Sequence, residues 1–296
     1  MFGASVSSFP VVDAVPYLSA SDVRSEHIVA ARDAAAPNKQ DVASLGPRLS
    51  AESALVVDAS SGAVLFHKKA HEERSLASIT KLMTALVFLE QEPDLATRVT
   101  MEENDDREGG NQHIRPGESA TLRSYLRASL VGSANNATVV LSRSTDFSFE
   151  EFIARMNEKA WELGMRNTVF IEPTGLAPEN RSTARDLARL LEAVMQNDTV
   201  REMTSTHRTT IVVYPSGVIR QVDSTNHLIG SIVSVAAGKT GYLDESLYNV
   251  ASAVTLSNNK QIYVIVLGAQ SNDERVQDAK NLAVWAEATY DWKTQQ

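Results

Sequence analysis

Ser75-Leu76-Ala77-Ser78-Ile79-Thr80-Lys81-Leu82-Met83-Thr84-Ala85 places a hydroxyl and an amine three positions apart, at the mouth of an apolar run. On a helix, positions i and i+3 share one face, so Ser78 and Lys81 can touch. A serine hydroxyl is a weak nucleophile until a base takes its proton. A lysine kept neutral by burial or by a neighbouring cation is such a base. The N–H groups that open a helix add a preference for negative charge beside the hydroxyl. Read alone, S-x-x-K equally describes an N-capping serine followed by a solvated lysine, so the rest of the chain has to decide.

Two strands are expected before this segment, at 53–57 and 63–67, joined by a turn at 59–62. The helix that carries Ser78 and Lys81 is expected to end near Glu92-Pro93. Residues 94 to about 206 read mostly as helix, at 123–131, 136–142 and 183–195. A further 3.6-residue period runs through Phe149, Phe152, Ile153, Met156, Ala160 and Leu163 and stops at Gly164. Polar, glycine-bearing loops interrupt at 104–117 and 173–180. From Arg208 the pattern turns to strands at 209–214, 218–222, 232–239, 248–256 and 261–267, and a helix at 273–292 closes the chain.

This order predicts an α/β (α+β) fold with an antiparallel sheet flanked by helices and a helical lobe beside it. One discontinuous domain is expected over 49–296, with a sheet lobe at 49–93 and 207–296 and a helical lobe at 94–206. Residues 1–48, rich in Ala, Ser, Asp and Pro, read as an N-terminal extension or tether with a helix at 22–36.

Composition narrows the chemistry. A formal net charge of -9 and a pI near 5.2 argue against broad nucleic-acid binding and against a polybasic membrane anchor. With no cysteine, disulfides, thiol nucleophiles and Cys-ligated zinc are excluded. His67 and His71 stand four apart but lack a third ligand, and 102–106 reads as a solvated acidic loop, so no metal or cofactor is expected. No apolar run approaches the roughly 20 residues of a spanning helix, and no export signal is visible at the N-terminus.

Two further motifs give S-x-x-K a context. Gly238-Lys239-Thr240-Gly241 sits near the end of an expected strand, where a lysine between glycines can offer charge to a substrate backbone lying along that edge. Three S-x-N tripeptides occur, at Ser133, Ser224 and Ser257. Only Ser133-Ala134-Asn135 lies between two helices of the middle lobe, well away from the other motifs, and it is selected on that ground. S-x-x-K, S-x-N and K-T-G in this order form the signature of penicillin-binding proteins and class A β-lactamases.

The chain resembles the low-molecular-mass penicillin-binding proteins, the D-alanyl-D-alanine carboxypeptidase group of serine peptidases. The resemblance extends over roughly 52–292 and includes Leu163-Gly164-Met165 through Phe170, Pro173-Thr174-Gly175-Leu176, Ser182-Thr183-Ala184-Arg185-Asp186 and Thr225-Asn226-His227-Leu228. It implies a penicillin-binding/β-lactamase-like fold and an extracytoplasmic enzyme without cofactor. It also implies that the enzyme acts on peptidoglycan stem peptides and is acylated by β-lactam antibiotics. Ser78 would attack the carbonyl of the penultimate D-alanine, Lys81 accept its proton, and Ser133 relay a proton to the leaving amine. Asn135 would bind the substrate amide and fix Lys81. Lys239 and Thr240 would meet a carboxylate, with Arg275 near its terminal end. The N–H groups of Ser78 and of Tyr242, which follows Gly241, would form the oxyanion hole. Leu243 and Leu247 depart from the group's usual Thr and Gly beside this edge. The competing readings are a serine β-lactamase using Glu172, and a peptidoglycan-binding relative without catalysis.

Overall fold

A computed structural model describes residues 34–107 and 109–292. Five strands form one antiparallel sheet: β1 (Ser53–Asp58), β2 (Val64–Lys68), β3 (Ser234–Leu243), β4 (Leu247–Thr255) and β5 (Gln261–Ala269). Their order is β3-β4-β5-β1-β2, so the two ends of the chain interleave and β3 stands at an edge. The helices are α1 (Thr80–Leu89), α2 (Leu122–Leu130), α3 (Asn135–Arg143), α4 (Phe149–Glu162), α5 (Ala184–Gln196), α6 (Asp198–Ser205) and α7 (Asn272–Thr289).

Alternation along the strands divides the core. Leu55, Val57, Ala251, Ala253, Ile265 and Leu267 point to one face, where they join the apolar residues of α1 to α6. Ala54, Val56, Val250, Val254, Val264 and Val266 point to the other face, against Ala279, Leu282, Ala283 and Ala286 of α7. A sheet covered on both faces reads as near-continuous apolar runs, and β1 is buried at every residue.

α1 packs against α2 to α6, and Thr80 through Phe88 are all buried. A helix apolar on all sides is enclosed by others, so a lysine in its first turn is necessarily withdrawn from water. The neighbouring helices begin on side-chain caps. Thr121, Ser148 and Thr183 accept from the N–H groups of Ser124, Glu151 and Asp186, and Ser148 forms a capping box with Glu151.

Several boundaries differ from expectation. Ser78 lies in a 3-10 turn (Ala77–Ile79) before α1 rather than within the helix, and α1 ends at Leu89. The hairpin Arg208–Val213 with Val218–Asp223 is a separate two-stranded ribbon that packs on α2, outside the five-stranded sheet. Alternation identified its strands but carried no information about their neighbours. Part of the expected extension is also packed. Asn38–Lys39 pairs with Tyr290–Asp291, and Trp285 Nε1 donates to Ser44 Oγ at 2.8 Å. Of the helix expected at 22–36, residues 22–33 lie outside the described residues and 34–36 are not helical.

Candidate active site

The turn that carries Ser78 is held from two sides. The Leu76 N–H donates to Asn180 O at 2.9 Å, and Asn249 Nδ2 of β4 donates to Ser75 O at 2.9 Å. Between them Ala77 takes a φ of +48°, a left-handed conformation uncommon outside glycine. Two glycines let other segments close on this turn. A Cβ on Gly175 would lie 1.9 Å from Ala77 O, and one on Gly241 would lie 2.6 Å from Leu76 O and 3.0 Å from Ser78 N. The K-T-G edge and the nucleophile turn are therefore in backbone contact.

Lys81 Nζ is completely buried and reaches Ser78 Oγ at 2.8 Å, Asn135 Oδ1 at 2.7 Å and Thr174 O at 2.6 Å. Burial pushes its pKa down to about 7, against an opposing pull from the Glu172 carboxylate. Asn135 also donates through Nδ2 to Gly109 O at 3.0 Å, which ties it to the 104–117 loop.

Lys239 forms the second buried amine. Its Nζ meets Ser133 Oγ at 2.8 Å, Thr240 O at 3.0 Å and Thr225 Oγ1 at 3.5 Å. Burial, then the proximity of Lys81 and of Arg275, push it well below the ordinary lysine range. The charge of Lys81 thus disfavours charge on Lys239. Ser133 sits at φ +62°, and its predecessor Gly132 has no room for a Cβ, which would meet the His113 ring at 2.5 Å and Val222 at 2.8 Å.

Farther along the edge, Thr240 Oγ1 and Thr225 Oγ1 are 2.7 Å apart. Arg275, in the first turn of α7, donates through Nη1 to Gly241 O at 3.1 Å and Asn249 O at 3.2 Å, and its Nη2 to Asn272 Oδ1. It faces no carboxylate among the described residues, and burial lowers its pKa to about 10. Tyr242 is 48% exposed on the same edge, its ring 4.4 Å from that of Tyr248.

Ser78, Lys81, Ser133, Asn135, Lys239, Thr240, Gly241, Tyr242 and Arg275 are thus brought to one cleft from four separate parts of the chain. Three contributors escaped the sequence reading. Asn249 and Asn180 act through partners more than 100 residues away, and Thr225 lies in an S-x-N tripeptide too near K-T-G for its spacing to mark a separate wall. Two signals were available for Thr225: the S-x-N tripeptide that encloses it and the family resemblance of Thr225-Asn226-His227-Leu228. Glu172 differs from what the β-lactamase reading needs. It is buried, and its carboxylate accepts from Thr174 N at 2.7 Å, Thr174 Oγ1 at 2.5 Å, Gly175 N at 2.5 Å, Ala177 N at 3.4 Å and Asn180 Nδ2 at 2.9 Å.

Residues 38–271 match the model of the D-alanyl-D-alanine carboxypeptidase family, peptidase S11. A D-alanyl-D-alanine endopeptidase of Pseudomonas aeruginosa is 32% identical over 262 residues, covering 88% of this chain and 84% of that protein. D-alanyl-D-alanine carboxypeptidase DacF of Bacillus subtilis is 31% identical over 247 residues; the match covers 81% of this chain but only 63% of DacF. Among solved structures, the Streptomyces K15 DD-transpeptidase superposes with a TM-score of 0.77 at 28% identity, covering 82% of this chain and 99% of that one.

Proposed function

The chain belongs to the D-alanyl-D-alanine carboxypeptidase family of serine peptidases, and we propose that its cleft hydrolyses peptidoglycan stem peptides through an acyl-enzyme on Ser78. The bond cut is the one after the penultimate D-alanine of a D-Ala-D-Ala terminus, or its counterpart in a D-Ala-containing crosslink. The observation that carries this reading is the buried Lys81 amine at 2.8 Å from Ser78 Oγ, with a pKa of about 7. An ammonium can only donate. A neutral amine keeps two N–H groups for Asn135 and Thr174 and turns its lone pair toward the Ser78 hydroxyl.

Ser78 Oγ attacks the carbonyl carbon while Lys81 takes the proton. The N–H groups of Ser78 and Tyr242 receive the developing oxyanion, each such donor being worth about 3 kcal/mol of the barrier. Ser133, bonded to the Lys239 amine, relays that proton from Lys81 to the leaving nitrogen, which departs as the amine and leaves Lys81 neutral and Ser133 protonated as before. Water then attacks the ester and regenerates Ser78. The substrate carboxylate docks at Lys239, Thr240 and Arg275. Its arrival offsets the desolvation of Lys239 and returns that amine to its charged form. The open side of β3 accepts the peptide as an added strand. The place of action is outside the cytoplasm, where stem peptides are found; no helix among the described residues is long and apolar enough to cross a membrane.

The five donors on Glu172 disfavour the β-lactamase reading, because that carboxylate has no free lone pair with which to position a deacylating water. A test combines a pentapeptide-stem muropeptide, a crosslinked muropeptide dimer and a labelled penicillin, with products and protein adducts identified by mass. Release of D-alanine or of monomers, with a stable adduct on Ser78, is the expected result. No product and no adduct would refute the proposal.

A further inference from the structure

Arg275 is held by a neighbour whose orientation can be deduced. A guanidinium has only donors, so the atom of Asn272 that meets Arg275 Nη2 must be Oδ1. The amide nitrogen of Asn272 then points the other way, where it lies 3.2 Å from Nδ1 of His227. An amide N–H₂ also only donates. Nδ1 must therefore be the acceptor, which requires a neutral imidazole carrying its proton on Nε2. His227 lies two residues beyond Thr225, whose hydroxyl touches both Thr240 and Lys239. The chain His227–Asn272–Arg275 thus joins the two sides of the proposed carboxylate site.

We propose that His227 and Asn272 are positioning residues for substrate carboxylate binding, neutral His227 fixing the Asn272 carboxamide so that its oxygen holds Arg275. The inference rests on the reading of Arg275 as a carboxylate ligand. Without an acceptor at the Nδ1 position the Asn272 carboxamide is free to turn, and Arg275 is left opposite an N–H₂. Its remaining acceptors, the carbonyls of Gly241 and Asn249, do not hold Nη2. On the element that meets His227, the ionisable groups next to Asn272 in sequence are Asp273 and Glu274, both exposed. On its own side of the chain, Asp223 is engaged by Arg208.

The second-order rate of acylation by a fluorescent penicillin, whose carboxylate stays ionised above pH 5, reads this arrangement in the full-length protein. His227→Ala removes the acceptor that meets Asn272, and His227→Asn keeps one at the Nδ1 position. His227→Ala is expected to slow acylation about five- to tenfold, the worth of one hydrogen bond to a charged group, and His227→Asn to stay within about twofold of the parent. With Arg275→Ala in each background the two variants are expected to acylate alike. Equal rates in His227→Ala and the parent while Arg275→Ala slows acylation overturn the positioning role alone. If Arg275→Ala leaves acylation unchanged, the carboxylate reading of Arg275 fails, and the inference with it.

Discussion

Lys81 concentrates the chemistry of the site because one buried amine meets two carbonyl acceptors and the Ser78 hydroxyl. Its depressed pKa follows from its place in the first turn of an enclosed helix, and the electrostatic pull of Glu172 limits how far it falls. The sign of the consequence is fixed: the neutral form is the base, so acylation by a β-lactam rises with pH through about 7 and levels above it. A stopped-flow pH profile that falls over this range would remove Lys81 from the role of base. Lys81→Arg keeps the charge but cannot be deprotonated. Acylation is expected to drop by a factor on the order of 10² to 10⁴, the usual worth of a positioned base. The Ser78-to-Lys81 spacing was legible in the sequence because its geometry is local. Glu172 was visible as a residue, but its five donors were not. Its engagement depends on how the 172–180 loop folds back on itself, and no spacing rule encodes that.

At the scale of elements, the site depends on close backbone approach. β3 and the Ala77–Ile79 turn touch through Gly241, where any side chain would displace either Leu76 O or Ser78 N. Gly241→Ala is expected to leave the fold intact and to slow acylation on the order of 100-fold, as a displacement of about 1 Å at the reacting atoms does. Circular dichroism and adduct formation would separate the two effects. An unchanged acylation rate would show that the edge tolerates the shift. Asn249 joins the same elements from behind, donating to Ser75 O and accepting from Gly268 N at 2.8 Å. Asn249→Ala leaves two buried backbone groups unpaired. A cost of about 2 kcal/mol is expected, roughly 4–8 °C in Tm, measurable by calorimetry. The helices at 123–131, 149–163 and 183–195 could be read from their 3.6-residue period and their caps. The Arg208–Val213 ribbon could be read as strands but not as a ribbon on α2, since an alternating pattern states which face is apolar and not what covers it.

Across the whole molecule, the cleft lies where sheet and helical lobe share one core. Apolar residues of β1, β4 and β5 and of α1 to α5 form a contiguous cluster, and the polar pairs Lys81–Asn135 and Lys239–Ser133 lie along its rim. A lobe that separated would expose this cluster and also part the buried Lys239 amine from Ser133. Both penalties act against a half-open state, since each unpaired buried donor alone costs about 1–3 kcal/mol. Cooperative loss is therefore expected despite a length at which intermediates are common. In urea, far-ultraviolet circular dichroism, tryptophan fluorescence and the capacity to be labelled by a fluorescent penicillin should fall at one midpoint. Trp285 and Trp292 lie on the α7 face of the sheet and Trp161 on α4, so fluorescence samples both sides of the molecule. Labelling that disappears at lower urea than the other two signals would mean that the lobes part before either unfolds. The shared core would then be a weaker joint than its burial implies.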